Sequence, residues 1–172
     1  MFFRSMKVWI AATVLVVLVL AGTAIGVHVT SSTSFCLSCH EMRVHQQELA
    51  LSPHAQDARG NAIECVQCHI PSTNIVRMLS AKTWLGTKDL WVHATTGGSV
   101  TLNRREIQPE ARRFMDDANC RACHEDLYRN AKNDGAISEY GRLAHDNYLD
   151  KNGSSRSGCA GCHRNIAHLP PE

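Results

Sequence analysis

The chain has 172 residues, and its 18 Lys and Arg against 16 Asp and Glu leave a net charge of +2 at pH 7. That balance lacks the basic excess of a nucleic-acid binder, so no nucleic-acid partner is expected. Apolar residues make up 44% and aromatics only 6%, too few large side chains for a substantial conventional core.

Val8 through Val27 is an uninterrupted run of 20 uncharged residues, rich in Val, Leu, Ala and Ile. At about 1.5 Å rise per residue it spans the roughly 30 Å hydrocarbon core of a bilayer. Arg4 and Lys7 precede it, so the positive-inside rule keeps the N-terminus cytoplasmic and puts everything after His28 on the far side. A cleaved signal peptide is the alternative, with Gly22 and Ala24 as a small-residue cleavage site. The run is longer than an h-region of about 7–15 residues, so a retained single-span anchor over residues 1–28 is expected, in a bacterial inner membrane. Residues 29–172 then form one domain.

Cys36–His40 is the first of four Cys-x-x-Cys-His motifs; the others are Cys65–His69, Cys120–His124 and Cys159–His163. The pattern attaches c-type haem: the two thiols form thioethers to the porphyrin and the histidine reaches the iron. The haem-attaching residues are therefore Cys36, Cys39, Cys65, Cys68, Cys120, Cys123, Cys159 and Cys162, which are all the cysteines in the chain. A disulfide framework would not need a histidine after every second cysteine. Paired zinc knuckles would make coincidences of His40, His69, His124 and His163. Four covalent haems also supply the flat apolar bodies that the composition lacks. The expected fold is mostly α with extensive loops, a transmembrane helix plus a compact tetrahaem cytochrome c domain.

Further along the chain stand the other candidate iron ligands. Met42, two residues past His40, offers a thioether; ordinary packing against the porphyrin is the alternative. His45 is ambiguous and His28 reads as interfacial. His54 precedes His69 by 15 residues, much as His145 precedes His163 by 18, which suggests a duplicated two-haem unit. Pro71 to Asn74 reads as a helix start, with helical spacing from Ile75 to about Val92. On that helix Met78, Lys82, Leu85 and Asp89 share one stripe, where charges scattered on a solvated edge are the alternative to a site. Gly86 marks a bend or a close approach to a cofactor. Thr96–Gly98 and Lys151–Gly158 read as loops, and His168 follows His163 by five residues.

One span followed by four such motifs resembles the NapC/NirT family of membrane-anchored tetrahaem quinol dehydrogenases. The matching stretches are Cys36-Leu37-Ser38-Cys39-His40-Glu41-Met42, His54 through Cys65-Val66-Gln67-Cys68-His69-Ile70-Pro71, and Cys159 through His163 with Ile166-Ala167-His168. Length, and Glu110-Ala111-Arg112-Arg113 leading into Cys120, are most similar to the branch serving ammonia-forming nitrite reductase. The resemblance implies menaquinol as substrate from the membrane quinol pool, and a periplasmic multihaem reductase, pentahaem nitrite reductase, as partner. It implies that Met42 ligates the first haem in place of His40, that Lys82 and Asp89 line the quinol pocket with Trp91 and His93 nearby, and that His54, His145 and His168 are distal ligands. In the nitrite-reductase branch one haem borrows a lysine from the partner, so three in-chain distal histidines also suit a NapC-type carrier feeding another reductase. A pure electron-carrier module without quinol chemistry is the remaining alternative.

Overall fold

The computed structural model describes residues 2–97, 103–130, 134–150 and 158–168. Helices α1 (Phe2–Val29), α2 (Thr33–Cys36), α3 (Arg43–Ala50), α4 (Cys65–His69), α5 (Ile75–Thr96), α6 (Arg104–Phe114), α7 (Asp117–Arg121), α8 (Glu139–Asp150) and α9 (Gly158–Cys162) follow one another, with a 3-10 turn over His40–Met42 before α3. Among the described residues there is no strand, only isolated bridges between Gln56 and Ala62 and between Arg129 and Ala136. The mostly α architecture is as expected from the sequence. Of the expected loop over Lys151–Gly158, residues 151–157 lie outside the described residues.

The apolar span runs over Met6–Val29, with mean hydropathy 2.6 and no burial against the rest of the chain. The helix itself is longer than the uncharged run, because helical hydrogen bonding continues through the polar residues at each end. Its hydroxyls bond back into the helix, Thr13 Oγ1 donating to the Trp9 carbonyl at 2.9 Å and Thr23 Oγ1 to Val19 at 2.8 Å. A helix with apolar side chains facing outward all round and its polar groups satisfied internally suits hydrocarbon surroundings.

Beyond the anchor the chain buries almost nothing of its own. Among the described residues Leu49 and Pro71 are the buried apolar side chains, and Glu48 and Asn119 are the buried polar ones. What holds the short motif helices together is a series of polar seams, each supplied by a residue next to a motif. Between the first and second motifs, Glu64 accepts the Thr33 amide at 2.8 Å while the Thr33 hydroxyl accepts the Cys65 amide at 3.1 Å. Glu64 also forms a capping box with Gln67 at the start of α4, and its bond to Thr33 holds its carboxyl below the usual range. Between the second and third, Asn119 donates to the carbonyls of Ile70 at 2.8 Å and Cys68 at 3.3 Å and accepts from the Ser72 hydroxyl at 3.0 Å.

The third seam is Asp117. Its carboxylate accepts the Cys159 amide at 2.7 Å and the Tyr148 hydroxyl at 2.9 Å, joining α7, α8 and α9. The neighbouring Gly158 has φ +54°, and a Cβ there would stand 2.6 Å from Asp117 Oδ1. Gly158→Ala is therefore expected to cost about 1–3 kcal/mol from backbone strain and to dislodge Asp117 from the fourth motif. Peptide mapping of haem attachment should show incomplete loading confined to Cys159 and Cys162.

The expected helix from Ile75 is present and continues to Thr96. Asn74 caps it, accepting from Val76 N and Arg77 N, and Gly97 ends it at φ +61°. Thr96, expected in a loop, is thus the last helical residue, and residue 98 lies outside the described residues. The helix runs unbroken through Gly86, whose added Cβ would meet no atom of the chain within 4 Å.

Candidate haem centres

The motif histidines do not stand alone. Each faces one histidine from elsewhere: His40 and His93 with ring centroids 6.3 Å apart, His69 and His168 at 6.1 Å, His124 and His54 at 6.0 Å, His163 and His145 at 6.0 Å. An iron between two imidazoles needs two metal–nitrogen bonds of about 2.0 Å and two ring radii of about 1.1 Å, a centroid separation of about 6.2 Å. The four pairs fit that spacing. A fifth contact, His45 to His168 at 5.3 Å, is too close for it and joins two histidines that lie outside the motifs. The residues therefore fit c-type haem, with two thiols and one imidazole on each motif turn and a second imidazole opposite.

The surroundings prepare these rings to bind through Nε2. His54 Nδ1 lies 3.1 Å from the Ile166 carbonyl; a carbonyl only accepts, so Nδ1 carries the proton and Nε2 keeps its lone pair. Glu48, 5% exposed, sets one carboxylate oxygen 3.7 Å from His168 Nδ1 and 3.5 Å from His45 Nδ1. His145 Nδ1 is buried with no hydrogen-bond partner among the described residues. Burial pushes His69 down to about 4, so its imidazole is neutral, the form that coordinates metal. His124 is lowered by burial and by the adjacent His54.

The pairing does not follow the suggested repeat. His145 faces the motif just downstream, His163, but His54 passes over His69 to face His124, and His69 is met by His168. Two residues that sequence reasoning left unassigned now have places. His93 stands across from His40, and His45 belongs with Glu48 and His168. Asn119 and Asp117 were missed altogether; the only signal for them was a short polar residue just ahead of a cysteine motif.

Helix α5 carries the residues expected to meet quinol. Met78, Lys82, Leu85 and His93 are partly covered, while Trp84, Leu90 and Trp91 are exposed, so the stripe read from periodicity is a distinct face. Lys82 Nζ donates to the Val27 carbonyl at 3.0 Å, Thr30 Oγ1 at 3.0 Å and Ser31 Oγ at 2.6 Å. All three ammonium protons thus close the C-terminal end of α1, where a cation also meets the negative end of the helix dipole. Desolvation lowers the Lys82 ammonium, with Cys36 opposing the shift. Asp89, two turns further on, is accessible yet crowded by the chain's own atoms, and lost hydration pushes its carboxyl above the usual range. Met42 ends the 3-10 turn that His40 begins and is 36% exposed.

The family model for the NapC/NirT cytochrome c family, N-terminal region, matches residues 2–172. The chain belongs to this family. Tetrahaem c-type cytochrome CymA of Shewanella oneidensis is 29% identical over 153 residues, covering 84% of this chain and 80% of that protein. Cytochrome c-type protein NrfH of Wolinella succinogenes is 29% identical over 161 residues, covering 92% and 80%. Cytochrome c-type protein TorY of Escherichia coli O157:H7 is 31% identical over 154 residues; these span 84% of this chain but only 39% of TorY. Such similar identities do not separate the branches of the family. No solved structure matches the chain. As a NapC/NirT cytochrome it is a membrane-anchored, quinol-oxidising electron-transfer protein with c-type haem.

Proposed function

We propose that the chain is a single-span quinol dehydrogenase that oxidises menaquinol at the outer face of the bacterial inner membrane, its four-haem domain periplasmic, and passes electrons to a periplasmic multihaem reductase. One observation carries this reading: helix α5 joins the membrane exit to the first motif. Lys82 grips residues Val27, Thr30 and Ser31 at the end of the anchor, and His93, on the same face three turns on, reaches Glu41 and His40. Asp89 lies between these two attachments along the helix.

Oxidising a quinol to a quinone releases two electrons and two protons. The haems, when bound, supply one-electron acceptors, and the protein must take the protons. Asp89 is the carboxylate on this helix, and its raised pKa brings it nearer to the working pH of a proton acceptor. Lys82 positions the helix through the anchor and sets a cation beside the site. Met42 gives the first motif a donor on its own turn; its thioether and the His93 imidazole are rival ligands there.

The resemblance of Glu110-Ala111-Arg112-Arg113, leading into Cys120, to the nitrite-reductase branch favours pentahaem nitrite reductase as the partner. A second reading, a NapC-type carrier feeding another periplasmic reductase, is favoured by a different observation: every motif histidine already faces an in-chain histidine, so none awaits a lysine from a partner. Gentle detergent purification from native membranes, with mass spectrometry of co-purifying proteins, distinguishes the two. The quinol reading itself is tested by reconstituting the full-length holoprotein in vesicles loaded with menaquinol. Anaerobic reduction of the haem spectrum is expected, and none without menaquinol. No reduction in loaded vesicles, in a protein that dithionite reduces fully, would rule the reading out.

A further inference from the structure

We propose that Glu48 is a positioning residue for the second haem: its buried carboxylate, steadied by His45, holds the Nδ1 edge of His168 and keeps that haem's reduction potential low. Glu48 lies on α3 three residues after His45, next to the buried Leu49, and its side chain is 5% exposed. One of its carboxylate oxygens lies 3.5 Å from His45 Nδ1 and 3.7 Å from His168 Nδ1. A carboxylate withdrawn from water is costly unless donors come to it, and the fold brings two imidazole edges to this one.

Each of the three groups has its own part. His168 stands beyond α9 in a segment that forms no helix, so the direction of its ring is fixed by contacts from elsewhere. With Nδ1 turned to Glu48, Nε2 is left for the iron that His69 also meets, the two ring centroids being 6.1 Å apart. His45 meets His168 at 5.3 Å, edge to face, too close for an iron between them; its place is beside the carboxylate, which it steadies. A carboxylate on Nδ1 draws the ring proton more strongly than a neutral acceptor does. Nε2 then carries more electron density, which favours ferric over ferrous iron. The chain holds its own comparison: His54, which faces His124, sets Nδ1 3.1 Å from the Ile166 carbonyl, a neutral acceptor. Glu48 therefore lowers the potential at the second motif and leaves the third untouched.

The inference rests on His168 ligating the second haem; it is independent of the quinol reading and of the partner. The test is a potentiometric titration of purified full-length holoprotein, followed by its haem spectrum. His168→Met, which sets a thioether on the same iron, should introduce a red sulfur-to-iron charge-transfer band and raise one midpoint potential, marking the step that belongs to the second haem. Glu48→Gln, of nearly the same size but uncharged, should raise that same step and no other, with haem still attached at all four motifs. Glu48→Asp, which keeps the charge, should return the step most of the way to wild type. If His168→Met gains no new band, the ligation fails and the inference falls with it. Where the band is present, a marked step that Glu48→Gln leaves in place or moves downward overturns the role of Glu48 alone. Should Glu48→Gln fail to mature, His45→Leu decides: it removes the group that steadies the carboxylate, and an unmoved marked step overturns the proposal. Nδ1 of both histidines and a Glu48 oxygen lie within 4.8 Å of one another, so metal analysis is the last arm. Iron in proportion to haem is expected, and a further metal at one per chain would also overturn it.

Discussion

Replacing Asp89 by asparagine is expected to slow menaquinol oxidation by about 10²-fold, the usual contribution of a positioned proton acceptor, with haem content unchanged. Asparagine keeps the size and polarity of the side chain but cannot take a proton. The raised pKa gives the effect a pH signature. In the wild type the rate should climb as pH rises through the elevated Asp89 pKa, because only the ionised carboxylate accepts a proton; Asp89→Asn should lose that limb. Stability moves the other way. A carboxyl raised on folding favours the protonated form, so the folded state is penalised as pH climbs above the ordinary carboxylate range. The uncharged variant is therefore expected to be slightly more stable at pH 7. Stopped-flow reduction in menaquinol vesicles across pH measures the first effect and thermal unfolding the second. Equal turnover of variant and wild type at every pH would remove Asp89 from the proton path.

The second large effect is structural. Asn119→Ala should destabilise the haem domain by about 2–4 kcal/mol, because it deletes donors to two carbonyls and the acceptor for Ser72 in one step. Asn119 is 9% exposed, so water cannot readily replace what is lost. The carbonyls left behind belong to Cys68 and Ile70, on either side of His69. Damage should therefore reach the second motif as well as the third, which Asn119 directly precedes. Denaturant unfolding of the holoprotein gives the magnitude; per-site peptide mapping of haem attachment shows where maturation fails. Losses confined to the third motif would mean that Asn119 serves α7 alone and does not join the motifs.

Much of this architecture is legible in the residues themselves, for reasons that differ by element. The anchor reads directly, since the bilayer imposes both length and composition on Met6–Val29. Helix α5 reads from its Asn74 cap and its stripe, because capping and periodicity are local effects. The histidine pairing is not legible. Ligands of one iron need only meet in space, and nothing in the spacing of His54, His124, His69 and His168 says which will meet; the suggested repeat even points the wrong way for His54. Lys82 shows another limit. Its place in the stripe was visible, but its grip on Val27, Thr30 and Ser31 depends on how α5 lies against the end of α1, a tertiary matter that no periodicity encodes.

The crossed histidine pairing sets a schedule for maturation. If motifs emerge from the membrane in chain order, the third meets His54 already waiting and the fourth meets His145 just ahead of it. The second is different: the ring that faces His69 is that of His168, which comes only after more than half the chain has followed. A chain halted before residue 168 would leave His69 without the imidazole that faces it. The same crossing brings distant segments together, so that irons held between the facing rings would link a domain with very little core of its own.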